Sequence, residues 1–238
     1  AILLDNDPQY FELAWAAQRS GLYFVCISSR LTSDEIEYVV RDSGAKLLVA
    51  SRDAGPGVSD LPERLADLAL FAVGAPVPGF RSWNSAAERM PDGAIAGERA
   101  GTDMLYSSGT TGRPKGVKPP LPENGDIMAP TPLVTVAQSL GFDETAVYLN
   151  PAPLYHAAPL RWTMALQRLG GTVVLMEKFD ATVALEAIEK FHVTHSQWVP
   201  THFIRMLKLP QDQRQAYDLS SLKLAIHAAS PCPVPIKH

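Results

Sequence analysis

The residues with the richest chemistry stand in one short segment, residues 107–116, near the middle of the 238-residue chain. The segment contains four hydroxyl side chains, three glycines and two cations, and it contains no carboxylate. They are Ser107, Ser108, Thr110 and Thr111; Gly109, Gly112 and Gly116; and Arg113 and Lys115. Glycines can adopt positive φ and let a ligand approach main-chain N–H groups, while hydroxyl and cationic donors bind phosphate oxygens. The composition predicts a loop that binds a polyphosphate; a flexible connector is the plainer alternative.

The spacing within the segment excludes the commonest nucleotide-binding loop. A Walker loop has a glycine, four further residues and then Gly-Lys-Ser/Thr. Five residues after Gly109 stands Pro114, and five after Gly112 stands Val117. The chain also has no G-x-G-x-x-G motif. A phosphate loop of a different kind is therefore expected.

The run Tyr106-Ser-Ser-Gly-Thr-Thr-Gly-Arg-Pro-Lys-Gly116 resembles the phosphate-loop signature of the adenylate-forming, or AMP-binding, superfamily. This superfamily includes acyl-CoA synthetases, aryl-CoA ligases, luciferases and the adenylation domains of peptide synthetases. The pattern is most similar to that of bacterial fatty-acyl-CoA synthetases. The resemblance implies that the segment binds the phosphates of ATP, with Arg113 and Lys115 supplying positive charge. Either cation could instead be a solvated loop residue.

Two later stretches resemble the same superfamily and occur in the expected order. A strand followed by the proline-rich turn 150–159 carries His156, which resembles the Pro-x-x-His element beside the acyl pocket. The resemblance implies that His156 lies near the substrate carboxylate; a hydrogen-bonded structural histidine is the alternative. Small residues after the strand at 224–227 are Ala228, Ala229 and Ser230. They leave room for a flat ligand at a strand end, and the resemblance implies a wall of the adenine and acyl pocket.

Apolar runs of strand length alternate with helical patterns along the chain, which predicts an α/β fold. We expect two layered βαβ-type subdomains, with mostly parallel sheets flanked by helices, over residues 1–100 and 101–238. The resemblance implies that both are parts of one large N-terminal AMP-binding domain, with a small C-terminal domain outside the chain. The proline-rich stretch 118–132 predicts an exposed loop and departs from the family pattern.

Other polar and aromatic residues are weaker candidates. The spacing of His192, His195 and His202 does not fit a zinc site, and we expect no metal centre. His195 and Gln197, with Pro200 and Thr201, are predicted to line or support a ligand cavity. Four apolar residues either border the acyl pocket or belong to the core: Leu154, Leu160, Trp162 and Trp198.

The composition excludes several classes of protein. The net charge of −4 and the scattered basic residues argue against a nucleic-acid partner. No apolar run approaches the roughly 18 residues of a membrane span, and no charged leader precedes the first strand. Peripheral membrane contact and a homo-oligomer remain open. Cys26 and Cys232 stand far apart, which predicts free thiols in a reducing compartment such as the cytoplasm.

The resemblance implies an AMP-forming acid–thiol ligase. A carboxylic acid, expected to be a fatty acid, would react with Mg²⁺-ATP to give an acyl-adenylate, and CoA would displace AMP to give a thioester. In the family pattern, the catalytic lysine and the glutamate near Mg²⁺ come after residue 238. We therefore expect this chain to be incompetent alone. A non-catalytic nucleotide- or acyl-binding module is one alternative, and an adenylating enzyme with a carrier protein as acceptor is another.

Overall fold

The alternation of strands and helices is observed in the structure, a computed structural model that describes residues 1–107, 113–123, 125–228 and 230–237. The chain divides into two units, Ala1–Ala129 and Pro130–His238. The sequence placed the boundary between residues 100 and 101. The observed boundary falls later because the strand Thr102–Ser107 pairs with Tyr23–Val25, which belongs to the first unit.

The first unit has seven strands and four helices within the described residues. The strands are β1 (Ile2–Leu3), β2 (Tyr23–Val25), β3 (Leu47–Ser51), β4 (Ala69–Val73), β5 (Arg81–Ser82), β6 (Thr102–Ser107) and β7 (Lys115–Val117). The helices are α1 (Gln9–Arg19), α2 (Ser33–Asp42), α3 (Leu61–Arg64) and α4 (Trp83–Ala87), with a 3₁₀ turn at Pro56–Val58.

The strands of the first unit are joined mainly by parallel pairing. One sheet has the order β1-β3-β4-β5, and a second has the order β2-β6-β7. A parallel bridge between Ile2 and Cys26 links β1 to the residue that follows β2. The β6–β7 pair is antiparallel, with Ser107 opposite Lys115 and Leu105 opposite Val117. The two ends of the predicted phosphate-binding segment are therefore the adjoining ends of a β-hairpin.

Local sequence explains how α2 is placed under this hairpin. Thr32 accepts a hydrogen bond from the Glu35 amide, and the Glu35 carboxylate accepts one from the Thr32 amide, which forms a capping box. Ile36, Val39 and Val40 form the buried stripe of the helix. The fixed start and the buried stripe leave one side of α2 available for contacts with the hairpin.

The second unit has four strands and six helices within the described residues. The strands are β8 (Val147–Asn150), β9 (Thr172–Leu175), β10 (His195–Trp198) and β11 (Leu224–His227). The helices are α5 (Pro132–Ser139), α6 (Ala157–Arg168), α7 (Ala181–Phe191), α8 (Pro200–Leu207), α9 (Gln211–Gln215) and α10 (Val234–Lys237).

All pairs in the sheet of the second unit are parallel, in the order β11-β10-β8-β9. Tyr148 packs on one face with residues of α5 and α6, whereas Leu149 packs on the other face with residues of α7 and α8. This alternation follows from the period of two along a strand. The α/β class with mostly parallel sheets flanked by helices is confirmed.

Candidate functional site

The β6–β7 hairpin holds the two ends of the predicted phosphate-binding segment. Ser107 is the last residue of β6, and Lys115 is the first residue of β7. The predicted site residues Ser108, Gly109, Thr110, Thr111 and Gly112 lie outside the described residues, as does Ala229. Arg113, Lys115 and Gly116 are described, and all three are exposed.

Arg113 is placed by contacts with α2. Its guanidinium carbon lies 5.1 Å from the centroid of the Tyr38 ring, a cation–π contact. The Tyr38 hydroxyl donates a hydrogen bond to the Pro114 carbonyl oxygen at 3.2 Å. One tyrosine of α2 therefore contacts both residues that lead into β7.

A second tyrosine ties the other strand of the hairpin to the same helix. The Tyr106 hydroxyl donates to the Asp42 carboxylate at 2.6 Å. Burial and the hydrogen bond to Asp42 raise the pKa of Tyr106 above its ordinary value, so the hydroxyl stays protonated and acts as a donor. Tyrosine hydroxyls thus fasten β6, and the residue that precedes β7, to α2.

Lys115 and Gly116 have different roles in the hairpin. Lys115 has an exposed side chain, so its ammonium group is accessible to an anion. Gly116 was predicted to provide positive φ, and this is wrong, because it is not among the described glycines with positive φ. It lies opposite Tyr106, and a Cβ atom there would be 2.9 Å from the Tyr106 ring carbon Cζ. The same Cβ would be 2.5 Å from Met104 Cε, so Gly116 provides space for the side chains of both Met104 and Tyr106.

His156 lies in the second unit, just before α6. It is the N-cap residue of α6, its side chain is exposed, and its amide donates to the Pro153 carbonyl at 3.2 Å. Its ring is 4.5 Å from that of Tyr155. The turn that carries it begins at Asn150, the last residue of β8. His156 is thus presented at the carboxyl edge of the sheet.

Ala228 and Ser230 follow β11 at the same edge. The Ala228 amide donates to the Trp198 carbonyl at 3.1 Å, which places it just beyond the end of β10. Ser230 is exposed. The loops that follow β8, β10 and β11 therefore all begin at the carboxyl edge of this parallel sheet. Ligands bind at this edge in open α/β sheets.

Two buried amide side chains also stand at this edge. Asn150 ends β8 and Gln197 is the third residue of β10, and they are 1% and 5% exposed. Gln197 was predicted to line or support a cavity. Asn150 was not singled out from the sequence, although a polar residue that ends an apolar strand was a usable signal.

The three histidines whose spacing was compared with a zinc site, His192, His195 and His202, have structural surroundings. His195 Nδ1 lies 2.8 Å from the Thr194 hydroxyl, and burial lowers the pKa of His195. His202 stacks on Phe179 at 4.1 Å, and burial, aided by Arg205, lowers the pKa of His202 to about 4. His192 ends α7 in the left-handed conformation. Among the described residues, no group of three or more histidine, cysteine or acidic side chains could hold a metal ion.

The aromatic residues that were candidates for the pocket border lie in the cores. Trp198 is a buried member of the cluster on the α7 and α8 face, and Trp162 packs against the cluster on the opposite face. Leu154 and Leu160 are also buried. Core packing accounts for these positions.

Comparison with known proteins decides the family. The family model described as AMP-binding enzyme matches residues 1–238. The chain belongs to the AMP-binding enzyme family. This result confirms the resemblance that the hydroxyl-rich segment indicated.

Several curated relatives are CoA ligases by name. A feruloyl-CoA synthase from an Amycolatopsis species is 32% identical over 98% of this chain and 44% of its own length. An indoleacetate–CoA ligase from Aromatoleum aromaticum is 31% identical over 92% of this chain and 42% of its own length. The chain thus spans less than half the length of these relatives.

Solved structures agree with the fold. A putative long-chain-fatty-acid CoA ligase from Rhodopseudomonas palustris is 26% identical, with a TM-score of 0.76 over 97% of this chain and 56% of that chain. An anthranilate CoA ligase in complex with anthranoyl-AMP has a TM-score of 0.79 over 99% of this chain and 46% of that chain, at 23% identity. Among the described residues, no helix is long and apolar enough to cross a membrane.

Proposed function

We propose that the protein containing this chain activates a carboxylic acid with ATP to form an acyl-adenylate, and then transfers the acyl group to CoA. The observation that carries the proposal is the hydroxyl- and cation-rich sequence of segment 107–116, whose Ser107 and Lys115 pair between β6 and β7, in a chain that the AMP-binding enzyme family matches over residues 1–238. The relatives are named as CoA ligases and synthases, which supports the choice of CoA as acceptor.

In the first step, a carboxylate oxygen attacks the α-phosphorus of ATP, the bond to the bridging oxygen of the β-phosphate breaks, and pyrophosphate leaves. The acid is already ionised at pH 7, so this attack needs no general base. Catalysis then depends on positioning and on neutralising charge that develops on pyrophosphate. We assign this charge neutralisation to Arg113 and Lys115, and the phosphate contacts to Ser107, Ser108, Gly109, Thr110, Thr111, Gly112 and the Gly116 amide.

In the second step, the CoA sulfur attacks the acyl carbon, AMP leaves with the bonding electron pair, and the thiol proton passes to solvent. We assign the acid to the carboxyl edge of the sheet in the second unit, with His156 near the acid carboxylate. Ala228, Ala229 and Ser230 are assigned to the wall of the pocket for adenine and acyl group. ATP is expected as its Mg²⁺ complex, and the described residues contain no group of three or more histidine, cysteine or acidic side chains that could hold the ion.

The class of acid is open to two proposals. The sequence pattern favours a fatty acid, and a structural neighbour carries that name. The names of several curated relatives favour an aromatic acid instead, including a ligase for 4-hydroxybenzoate and benzoate from Rhodopseudomonas palustris. A panel of both acid classes decides between them.

A carrier-protein thiol is a second candidate acceptor. One relative, 27% identical over 97% of this chain, is named as a ligase of fatty acid and acyl carrier protein. Product analysis with CoA and with a carrier protein separates the two. We further propose a cytoplasmic location, since Cys26 and Cys232 are free and buried.

The decisive experiment measures pyrophosphate release from ATP in the presence of acids from both classes. We expect turnover and a CoA thioester from the full-length protein, and no turnover from residues 1–238 alone. ATP binding by the full-length protein without pyrophosphate release would favour a non-catalytic binding module. Turnover by residues 1–238 alone would contradict the need for further residues.

A further inference from the structure

We propose that Asn150 and Gln197 form a hydrogen-bonding subsite for a hydroxyl group on the acid, so that hydroxylated acids are activated in preference to their unsubstituted counterparts. The inference rests on the proposed acid activation and narrows its substrate class. It starts from two buried polar atoms at the carboxyl edge of the sheet in the second unit.

The register of β8 and β10 puts the two side chains beside each other on one face. His195 pairs with Tyr148 and Ser196 with Leu149, so the next position places Gln197 opposite Asn150. Tyr148 packs toward α5 and α6, and Asn150, two residues later, faces the same way. Ile226, which pairs with Gln197, packs against the same cluster. Neighbouring strands are about 4.8 Å apart.

Each of the two amides leaves one buried atom without a hydrogen bond among the described residues. The atoms are Asn150 Nδ2, a donor, and Gln197 Oε1, an acceptor. The orientation of the Asn150 amide is fixed, because its Oδ1 accepts from the Ala152 amide at 3.3 Å. If the Asn150 amide were rotated by 180°, its NH₂ group would face the Ala152 N–H, and two donors would oppose each other. The Asn150 donor therefore points away from its own turn.

Some of the other buried polar groups of the second unit have partners, whereas the Tyr148 hydroxyl of β8 has none among the described residues. The Trp198 indole donates to the Ser196 hydroxyl, and the Thr163 hydroxyl donates to the Pro159 carbonyl. Buried polar groups in folded proteins are normally satisfied, and leaving one unsatisfied costs about 1–3 kcal/mol. Two such atoms at adjoining positions on a ligand-binding edge indicate that a bound group completes them.

The chemistry of the pair selects a hydroxyl. A carbonyl or ether oxygen would satisfy only Asn150, and an ammonium group would satisfy only Gln197 while bringing a charge into a buried site. A single hydroxyl accepts from Asn150 Nδ2 and donates to Gln197 Oε1.

The position of the pair places this hydroxyl on the acid. Asn150 begins the turn that carries His156, and its side chain is bonded to that turn. Gln197 precedes Trp198, whose carbonyl accepts from Ala228. Asn150 and Gln197 therefore lie next to the turn that carries His156 and next to Ala228. The two amides are buried, whereas His156 and Ala228 are at least partly exposed. A group of the acid remote from its carboxylate is the part that reaches such a position.

The test compares kcat/KM for acid-dependent pyrophosphate release by the full-length protein on matched acids. The pairs are 4-coumarate and cinnamate, 4-hydroxybenzoate and benzoate, and ω-hydroxydodecanoate and dodecanoate. We expect at least one pair to show a preference of about tenfold or more for the hydroxylated acid, as for a site with buried hydrogen-bonding groups. Gln197→Met, which keeps the length and removes the acceptor, should reduce that preference about tenfold.

A control separates recognition from folding. Ser196→Ala changes the neighbouring residue on the opposite face and removes the acceptor of the Trp198 indole. It should lower the melting temperature and leave the preference unchanged, whereas Gln197→Met should leave the melting temperature unchanged or raise it.

The outcomes are distinct. Activation of acids without a hydroxyl preference, or a preference that survives in Gln197→Met, would contradict this inference and leave the proposed function standing. A water molecule that bridges the amides would give that result. Absence of activation with every acid would overturn the proposed function and this inference with it.

Discussion

The β6–β7 hairpin and the carboxyl edge of the β8–β10 pair are built in opposite ways. Lys115, Gly116 and Val117 of the hairpin are exposed, and its ends are fastened to α2 by tyrosine hydroxyls. At the carboxyl edge, Asn150 and Gln197 are almost completely buried, and strand register sets their positions.

The difference matches the chemistry that each region is proposed to perform. A triphosphate is highly charged and well hydrated, so exposed cations on a fastened hairpin can meet it without a large desolvation cost. A polar group in an apolar acid can be recognised only where water is excluded and each hydrogen bond counts. Four substitutions test this contrast, beginning with the largest expected change.

The first substitution tests the difference in burial. Leu149 in β8 is fully buried, so Leu149→Ala should lower the free energy of unfolding by about 3 kcal/mol or more. Val117 in β7 is 59% exposed, and Val117→Ala should change it by less than about 0.5 kcal/mol. Urea unfolding measures both. Similar losses would show that the hairpin is as tightly packed as the sheet.

The second substitution tests the exposed cation of the hairpin. Lys115→Ala should lower acid-dependent ATP–pyrophosphate exchange about a hundredfold, the usual effect of losing one charge-stabilising donor. Lys118→Ala is the matched control, because its ammonium lies over the Tyr23 ring at 4.5 Å, beyond the end of β7. We expect the control to change exchange less than about twofold. If both variants lowered exchange equally, the overall positive charge of this region would explain the loss, and Lys115 would have no specific role.

The third substitution tests the fastening of the hairpin. Tyr38→Phe removes the hydrogen bond to the Pro114 carbonyl and should raise KM for ATP about fivefold, as expected for about 1 kcal/mol. Tyr23→Phe removes a similar bond, to the Pro119 carbonyl on the other side of β7. An unchanged KM in Tyr38→Phe, or an equal rise in Tyr23→Phe, would contradict a specific role for Tyr38.

The fourth substitution concerns pH and the buried side of the second unit. His202 has a pKa of about 4 because it is buried beside Arg205, whereas an unfolded chain has a histidine pKa near 6.5. Between these values the unfolded state binds more protons, so stability rises with pH and is lost as pH falls from about 6.5 to 4. His202→Gln should flatten this part of the stability curve. A slope that is the same in both proteins would rule out His202 as its source.

Much of the fold could be predicted because it depends on local patterns. The caps of α2 and α7, which involve Thr32 with Glu35 and Asp180, are formed by residues close together in sequence, and both are observed. The domain boundary was harder to predict, because the pairing of β6 with β2 joins residues far apart in sequence. Such a long-range contact leaves no local signal.

The candidate sites show the same limit. The hydroxyl-rich segment is recognisable because its chemistry is contiguous in sequence. The pairing of Asn150 with Gln197 depends on strand register across a crossover, so neither residue identifies the other in the sequence. The role of Gly116 also required the structure, because its partner Tyr106 is fixed only by the hairpin register.

The central claim is that the acid carboxylate attacks the α-phosphorus of ATP. The most direct measurement supplies the full-length protein with an ¹⁸O-labelled carboxylic acid, ATP and CoA, and analyses the phosphate products by mass spectrometry. The account predicts one ¹⁸O atom in AMP and none in pyrophosphate. Label in inorganic phosphate, accompanied by ADP, would show attack at the γ-phosphorus and would contradict it.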